Sequence, residues 1–252
     1  MTTWFDEGSA ELYSILLSRR AGITHDTLLL SDLNDNATVY YTNPLRTLSN
    51  AQLAQRFWKD PRAQRLPYAR GLMYLARVDA QVRAKSDGKR RLDDIVLALV
   101  DRQRKGLSHG ISDWLDLVRK ELGPQAKADL DAMVEGKQLN PYNAFAPCFR
   151  FEAFKQRLFY LGFDGTSWSD TQKIVRGVVA GSAAARAGSQ DGDVVVDSTE
   201  LWDLQGDDAK DMVMKVRRHN RELTIRYLPR GATVDSYHWV RATNVPDSVC
   251  EF

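Results

Sequence analysis

The sequence predicts an α + β protein in two parts: an all-helical domain over residues 1–146, then a small β-barrel or sandwich domain over residues 147–231. Three observations predict it. Apolar side chains recur at helical spacing through the first part, with glycine or proline between the runs. Residues 140–147 (Asn-Pro-Tyr-Asn-Ala-Phe-Ala-Pro) break that rhythm. Beyond them the apolar runs shorten to strand length. A chain of 252 residues, 43% of them hydrophobic, has material for two cores.

The elements follow in order. Leu12, Tyr13, Ile15 and Leu16 space a helix over Glu7–Arg20 that stops before Gly22. Asn43-Pro44 reads as a loop, because the residue before proline is pushed out of the helical region. Ser49 or Asn50 caps a short helix running to Trp58. Pro67 suits a first helical turn, and Leu72, Leu75, Ala76, Val78 and Val82 carry that helix to Lys85, with Gly88 as its end. Leu92–Lys105 is amphipathic, with Ile95, Val96, Leu99 and Val100 on one side. Ser112 or Asp113 opens the next helix, Gly123 ends it, and Pro124 opens another.

In the second part, strands are expected at Leu158–Phe163, Ile174–Val179, Val194–Val196 and Leu223–Leu228, with one helix over Asp207–Arg218. Residues 232–252 read as a docked tail, since Tyr237, Trp239 and Val240 are apolar. Trp58, Trp114 and Trp239 read as core or seam residues. There is no internal repeat.

Composition excludes some functions. Thirty-five basic residues nearly balance 33 acidic ones, against the concentrated basic excess of a nucleic-acid binder. Arg217, Arg218, Arg221 and Arg226 read as a solvated face. No apolar run approaches a membrane span, and the first residues do not resemble a signal peptide. A soluble protein is expected, periplasmic or cytoplasmic, with any signal peptide in an N-terminal part outside this sequence. Cys148 and Cys250 stand in no metal-like spacing and pair only if the tail folds back.

The string Gly181-Ser-Ala-Ala-Ala-Arg-Ala-Gly188-Ser-Gln-Asp-Gly192-Asp193-Val-Val resembles the PDZ signature, a small-residue helix leading to Ala-Gly, a Gly-Asp turn and an apolar strand. Gly188 and Gly192 stand where positive φ is needed. Tyr160, Leu161, Gly162 and Phe163 resemble the loop that receives a peptide's terminal carboxylate on backbone N–H groups. The resemblance implies that peptides or protein C-termini add as a strand beside that loop, opposite the helix Asp207–Arg218, with Met212, Val213 and Val216 lining the pocket. The alternative is a merely buried first strand and a closed groove.

Trp4-Phe-Asp-Glu7-Gly8 resembles the Trp-x-x-Glu-Gly element of the gluzincin zinc metallopeptidases, and Pro67-Tyr68-Ala-Arg70-Gly71 their Pro-Tyr-x-(Lys/Arg)-Gly element. With the PDZ-like string behind them, the joint order is similar to the bacterial glycyl-aminopeptidase family. The resemblance implies Glu7 as a zinc ligand and Tyr68 as hydrogen-bond donor to the oxyanion. Glu7 also suits a first-turn acid favoured by the helix dipole, and Tyr68 a core tyrosine.

One departure decides what to expect. None of His25, His109, His219 and His238 stands in H-E-x-x-H, so the histidine ligands and the water-activating glutamate are not among these residues. Zinc is expected in a complete parent protein and not in this chain alone. Two functions remain: the C-terminal part of a zinc aminopeptidase acting on small N-terminal residues, inactive alone and partnered by an N-terminal half, or a non-catalytic peptide-binding module.

Overall fold

The computed structural model describes residues 3–169, 171–246 and 249–250. The chain opens with α1 (Thr3–Arg20), α2 (Asp26–Thr42), α3 (Asn50–Arg56) and α4 (Pro61–Lys85). Then come α5 (Leu92–Arg104), α6 (Ile111–Leu122) and α7 (Gln125–Val134). The remainder holds β1 (Phe149–Phe159), α8 (Ala183–Arg186), β2 (Val194–Ser198), α9 (Leu201–Gly206), β3 (Met212–Arg218), β4 (Arg221–Tyr227) and β5 (Arg230–Arg241).

Helix α4 is the axis of the helical part, burying Leu66, Leu72, Met73, Tyr74, Leu75, Val78 and Val82. It starts earlier than expected. The Asp60 side chain caps it by accepting from the Arg62 N–H, and Pro61 fills the first-turn slot assigned to Pro67. Pro67 stays inside the helix, where it forgoes one backbone hydrogen bond. Helix α2 went unread. From Asn36 to Thr42 every residue is buried, and a helix buried all round shows no apolar stripe.

The α + β class holds, without a closed barrel among the described residues. A long antiparallel ribbon pairs β1 with β5, from Phe149 opposite Arg241 to Phe159 opposite Arg230. The segment read as a docked tail therefore supplies most of a strand. Near its root the ribbon packs on the helices: Trp239 is buried, Phe151 stacks on Tyr237 with centroids 5.2 Å apart, and Trp239 exchanges two hydrogen bonds with the Asn34 side chain. Cys148 and Cys250 are joined in a disulfide, so the chain does fold back to pair them. Trp114 is buried as expected, whereas Trp58 is 81% exposed and belongs to neither core.

At its other end the ribbon enters a second core with Leu161, Phe163, Val175, Leu204, Met212, Met214, Val216 and Ile225. Here β2, β3 and β4 form an antiparallel sheet. Gly188 and Gly192 take φ of 95° and 90°, as their spacing demands. Buried Asp193 accepts two hydrogen bonds from the Arg218 guanidinium. Burial pushes its pKa up, but the Arg218 pairing and the Gln190 N–H together outweigh burial and hold it below the usual carboxylate range.

The helix expected over Asp207–Arg218 is not formed. The helical piece lies earlier, at Leu201–Gly206, and Met212–Arg218 is strand β3. Met212, Met214 and Val216 face inward while Lys215 and Arg217 are exposed, a period of two. His219 and Asn220, both at positive φ, make the two-residue turn into β4.

Candidate functional site

The two helical motifs meet through their glycines. A Cβ on Gly71 would overlap the Trp4 carbonyl oxygen and lie 2.7 Å from the Gly8 Cα. The α1 and α4 backbones touch there, at an approach only glycine permits. Glu7 immediately precedes Gly8, and Tyr68 lies one turn before Gly71. The crossing sets Glu7 close enough to Tyr68 for its carboxylate to act on the phenol.

Burial, and then the neighbouring Glu7 carboxylate, push the Tyr68 hydroxyl up to about 12, with a further push from Glu11. At neutral pH Tyr68 is therefore a proton-bearing donor. The other motif residues are structural. Trp4 is buried edge-on against Tyr74, with centroids 5.1 Å apart. Arg70 is buried and donates to the Asn50 side chain and the carbonyls of Arg46 and Leu48 at 2.7–2.9 Å, fixing the approach to α3.

The surrounding face is acidic. The Glu11 carboxylate accepts from Asn36 at 2.8 Å. Burial and then Glu11 raise the Asp32 carboxyl; burial also raises Asp35, with Arg65 opposing. Arg65 lies 3.8 Å from Asp35.

The smaller lobe closes on this face through α9. The Asn43 side chain donates to Gln205 at 2.9 Å, and Arg65 donates to the Trp202 carbonyl. The Trp202 ring meets Tyr68 edge-on at 5.2 Å, and the Arg65 guanidinium lies 5.2 Å from the same ring. A Cβ on Gly206 would strike the Arg65 guanidinium, and one on Gly165 that of Arg62. Arg62, Arg65 and Tyr68, spaced by three along α4, thus form one line against the smaller lobe.

The loop residues are placed as follows. Leu161 and Phe163 are buried, and Tyr160 is half exposed. The Gly162 carbonyl accepts from the Val179 N–H at 2.8 Å and the Leu161 carbonyl from the Tyr227 hydroxyl at 2.8 Å. The N–H groups of Leu161, Gly162 and Phe163 meet no acceptor among the described residues. Met212 and Val216 are fully buried on a strand, and the Val213 N–H donates to the Thr199 hydroxyl. The expected pocket of Met212, Val213 and Val216 on a helix is therefore corrected: all three lie on strand β3, and Ser182 and Ala184 at the start of α8 are what pack against Gly162.

Among the described residues no group of three or more His, Cys, Asp and Glu is arranged to hold a metal ion. His25 precedes α2, His109 lies between α5 and α6, His219 is in the β3–β4 turn, and His238 stacks on Phe154. One carboxylate does not fit a zinc ion, which takes three protein ligands in catalytic centres.

Trp202, Arg65, Asn43 and Gln205 were not read from the sequence. The one signal for Arg65 was its three-residue spacing from Arg62 and Tyr68; Trp202 had none.

Raised tyrosines give a testable pH window. Tyr68, Tyr40 and Tyr74 are all pushed up to about 12 from 10.0, with burial the largest cause in each. The unfolded chain loses these protons first, so their stabilising contribution is full below pH about 10 and is lost as pH rises to about 12. The urea midpoint is expected to fall across that window. Glu7→Gln removes a charge beside Tyr68 and is expected to lower its pKa, read as the tyrosinate absorbance that Tyr68→Phe deletes.

No family model matches the chain, and no curated protein matches it. Among solved structures it is similar to an aminopeptidase N family protein from Idiomarina loihiensis, at 16% identity and a TM-score of 0.58. The match covers 93% of this chain and 46% of that one, so the chain spans a little under half of that neighbour's length. At this identity the likeness is one of fold.

Proposed function

We propose that this chain carries the carboxylate and phenol share of a zinc aminopeptidase site acting on small N-terminal residues, and that it is inactive by itself. The observation that carries the reading is Glu7 beside Tyr68, held there by the Gly8–Gly71 crossing. In a complete site Glu7 has the position of the ligating carboxylate, and Tyr68, still protonated, donates to the oxygen of the attacked carbonyl. The fold likeness to an aminopeptidase N family protein supports it. The histidine pair and the water-activating acid must come from residues outside this sequence.

The chain alone is expected to retain no stoichiometric zinc after gel filtration and to leave glycyl and alanyl arylamides uncleaved. Metal analysis and an arylamidase assay check both. Zinc-dependent turnover abolished by Glu7→Gln would overturn the claim that the chain holds only part of the site.

A second reading, a PDZ-like module that binds peptide C-termini, rests on the open N–H groups of Leu161, Gly162 and Phe163. Against it, Arg62 and Arg65 of α4 touch Gly165 and Gly206, the elements that would flank the peptide. Peptides with free carboxyl ends, but not amidated ones, should then shift Tyr160–Phe163 resonances at about 100 μM, or roughly 5.5 kcal/mol of binding. The Cys148–Cys250 disulfide supports an oxidising compartment such as the periplasm.

A further inference from the structure

We propose that Tyr142 is a nucleophilic phenol and a covalent modification site, one that accepts acyl groups from activated acyl donors. The inference goes beyond the aminopeptidase reading and uses none of its residues.

The break in the helical rhythm at residues 140–147 leads from α7 into β1, and Tyr142 stands in it. At 54% exposed it is the most open tyrosine among the described residues. Its hydroxyl is used as an acceptor: the Asn140 side-chain N–H donates to it at 2.9 Å. The orientation of that amide follows from its other partner. Asn140 Oδ1 lies 2.6 Å from the Tyr41 hydroxyl, the separation of an O–H donor, whereas 2.9 Å suits an N–H donor. Burial raises the Tyr41 pKa, so Tyr41 keeps the proton that it donates. Arg77 donates to the Asn140 carbonyl at 2.9 Å and fixes the backbone beneath. The phenol ring is held as well, edge-on to Phe151 and Tyr237 with centroids 6.0 and 6.2 Å away.

A phenol oxygen that already accepts a hydrogen bond is prepared to carry negative charge. The Asn140 donor, and then Tyr237, hold Tyr142 below the usual phenol pKa against the push from burial, and the Arg77 charge adds to them. Tyr142 in turn raises Tyr237, so the pair gives up the Tyr142 proton first. Burial pushes Tyr40 and Tyr74 the other way. An exposed phenol that ionises early is the activated nucleophile that acyl transfer needs. Its oxygen attacks the donor's carbonyl carbon and an O–C bond forms. The donor's leaving group departs with the bonding pair, and the phenol proton goes to water.

The test treats the full chain briefly with N-acetylimidazole at neutral pH and follows acetylation of each tyrosine by peptide mass spectrometry. Tyr142 is expected to react about fivefold or more faster than Tyr160, the next most open tyrosine at 38% exposed, where exposure alone would give nearly equal rates. Asn140→Asp still accepts from Tyr41 but puts a carboxylate where the donor stood. It should slow Tyr142 about tenfold, the equivalent of about one pKa unit, and leave Tyr160 unchanged. Asn140→Leu, which removes the donor without adding charge, should slow it less. Buried Tyr40 and Tyr74 report on the fold, because acetylation there marks an unfolded variant. Equal rates at Tyr142 and Tyr160 in the parent chain overturn the assignment whatever the variants do. So does an undiminished Tyr142 rate in a folded Asn140→Asp or Asn140→Leu chain.

Discussion

Gly71→Ala is expected to destabilise the chain by about 3 kcal/mol or more, although the same change in an ordinary helix interior stabilises by about 1 kcal/mol. The sign reverses because of where the new methyl would lie. It would overlap the Trp4 carbonyl oxygen and stand 2.7 Å from the Gly8 Cα, and both are backbone atoms that cannot swing aside. To admit the methyl, α1 must separate from α4 along a seam where Trp4, Leu12 and Leu16 are buried with Leu72, Leu75 and Ala76. Gly8→Ala meets Gly71 from the other side and should act in the same direction. Separation also parts Glu7 from Tyr68, so any folded fraction should show the Tyr68 pKa lowered from about 12. Urea unfolding of both variants checks the stability, and tyrosinate absorbance checks the pairing. A Gly71→Ala chain as stable as the parent, or more so, would refute the close crossing and the site built on it.

That crossing also marks the limit of what was legible in the sequence. Glu7 and Tyr68 were legible as members of two short motifs; that the helices carrying them cross at the motif glycines was not. Arg70 lies in the same motif and is a buried tether, so the motif alone does not sort reactive from structural members. Periodicity worked where a helix has one wet side, as in α1 and α5, and failed for α2, whose last turns are buried all round. The β3–β4 hairpin was missed because His219-Asn220 is an unusual pair for a two-residue turn, and because Met212, Val213 and Val216 fit a helical spacing as well as an alternating one. Strand β5 was hidden in an apparent tail because its partner β1 lies about 80 residues earlier. Trp202 was illegible for a different reason: its role exists only where two lobes meet, and neither lobe's own pattern records the other.

Removing the Cys148–Cys250 disulfide is the second change expected to have a large effect. The bridge joins residues 102 apart, and closing a loop of that length withdraws enough freedom from the unfolded chain to stabilise the fold by up to about 4.7 kcal/mol. Cys148 is fully buried and Cys250 nearly so, at the root of the β1–β5 ribbon, where the Cys148 carbonyl accepts from the Ala242 N–H and the Arg241 guanidinium. The ribbon has its own ladder, running from Phe149–Arg241 to Phe159–Arg230, and Trp239 stays clamped by Asn34. Cys148→Ala with Cys250→Ala should therefore lower stability by about 3–5 kcal/mol while the ribbon still forms. Reductant should reproduce that loss in the parent chain and do nothing further to the double variant. Urea unfolding with and without dithiothreitol measures the first part, and amide hydrogen exchange along Phe149–Phe159 the second. A parent chain indifferent to reductant and no more stable than the double variant would mean that the bridge does not hold the fold together. It would also remove the support that the bridge lends to an oxidising compartment, because a cross-link that leaves the equilibrium unchanged gives no reason to expect the protein where such bonds persist.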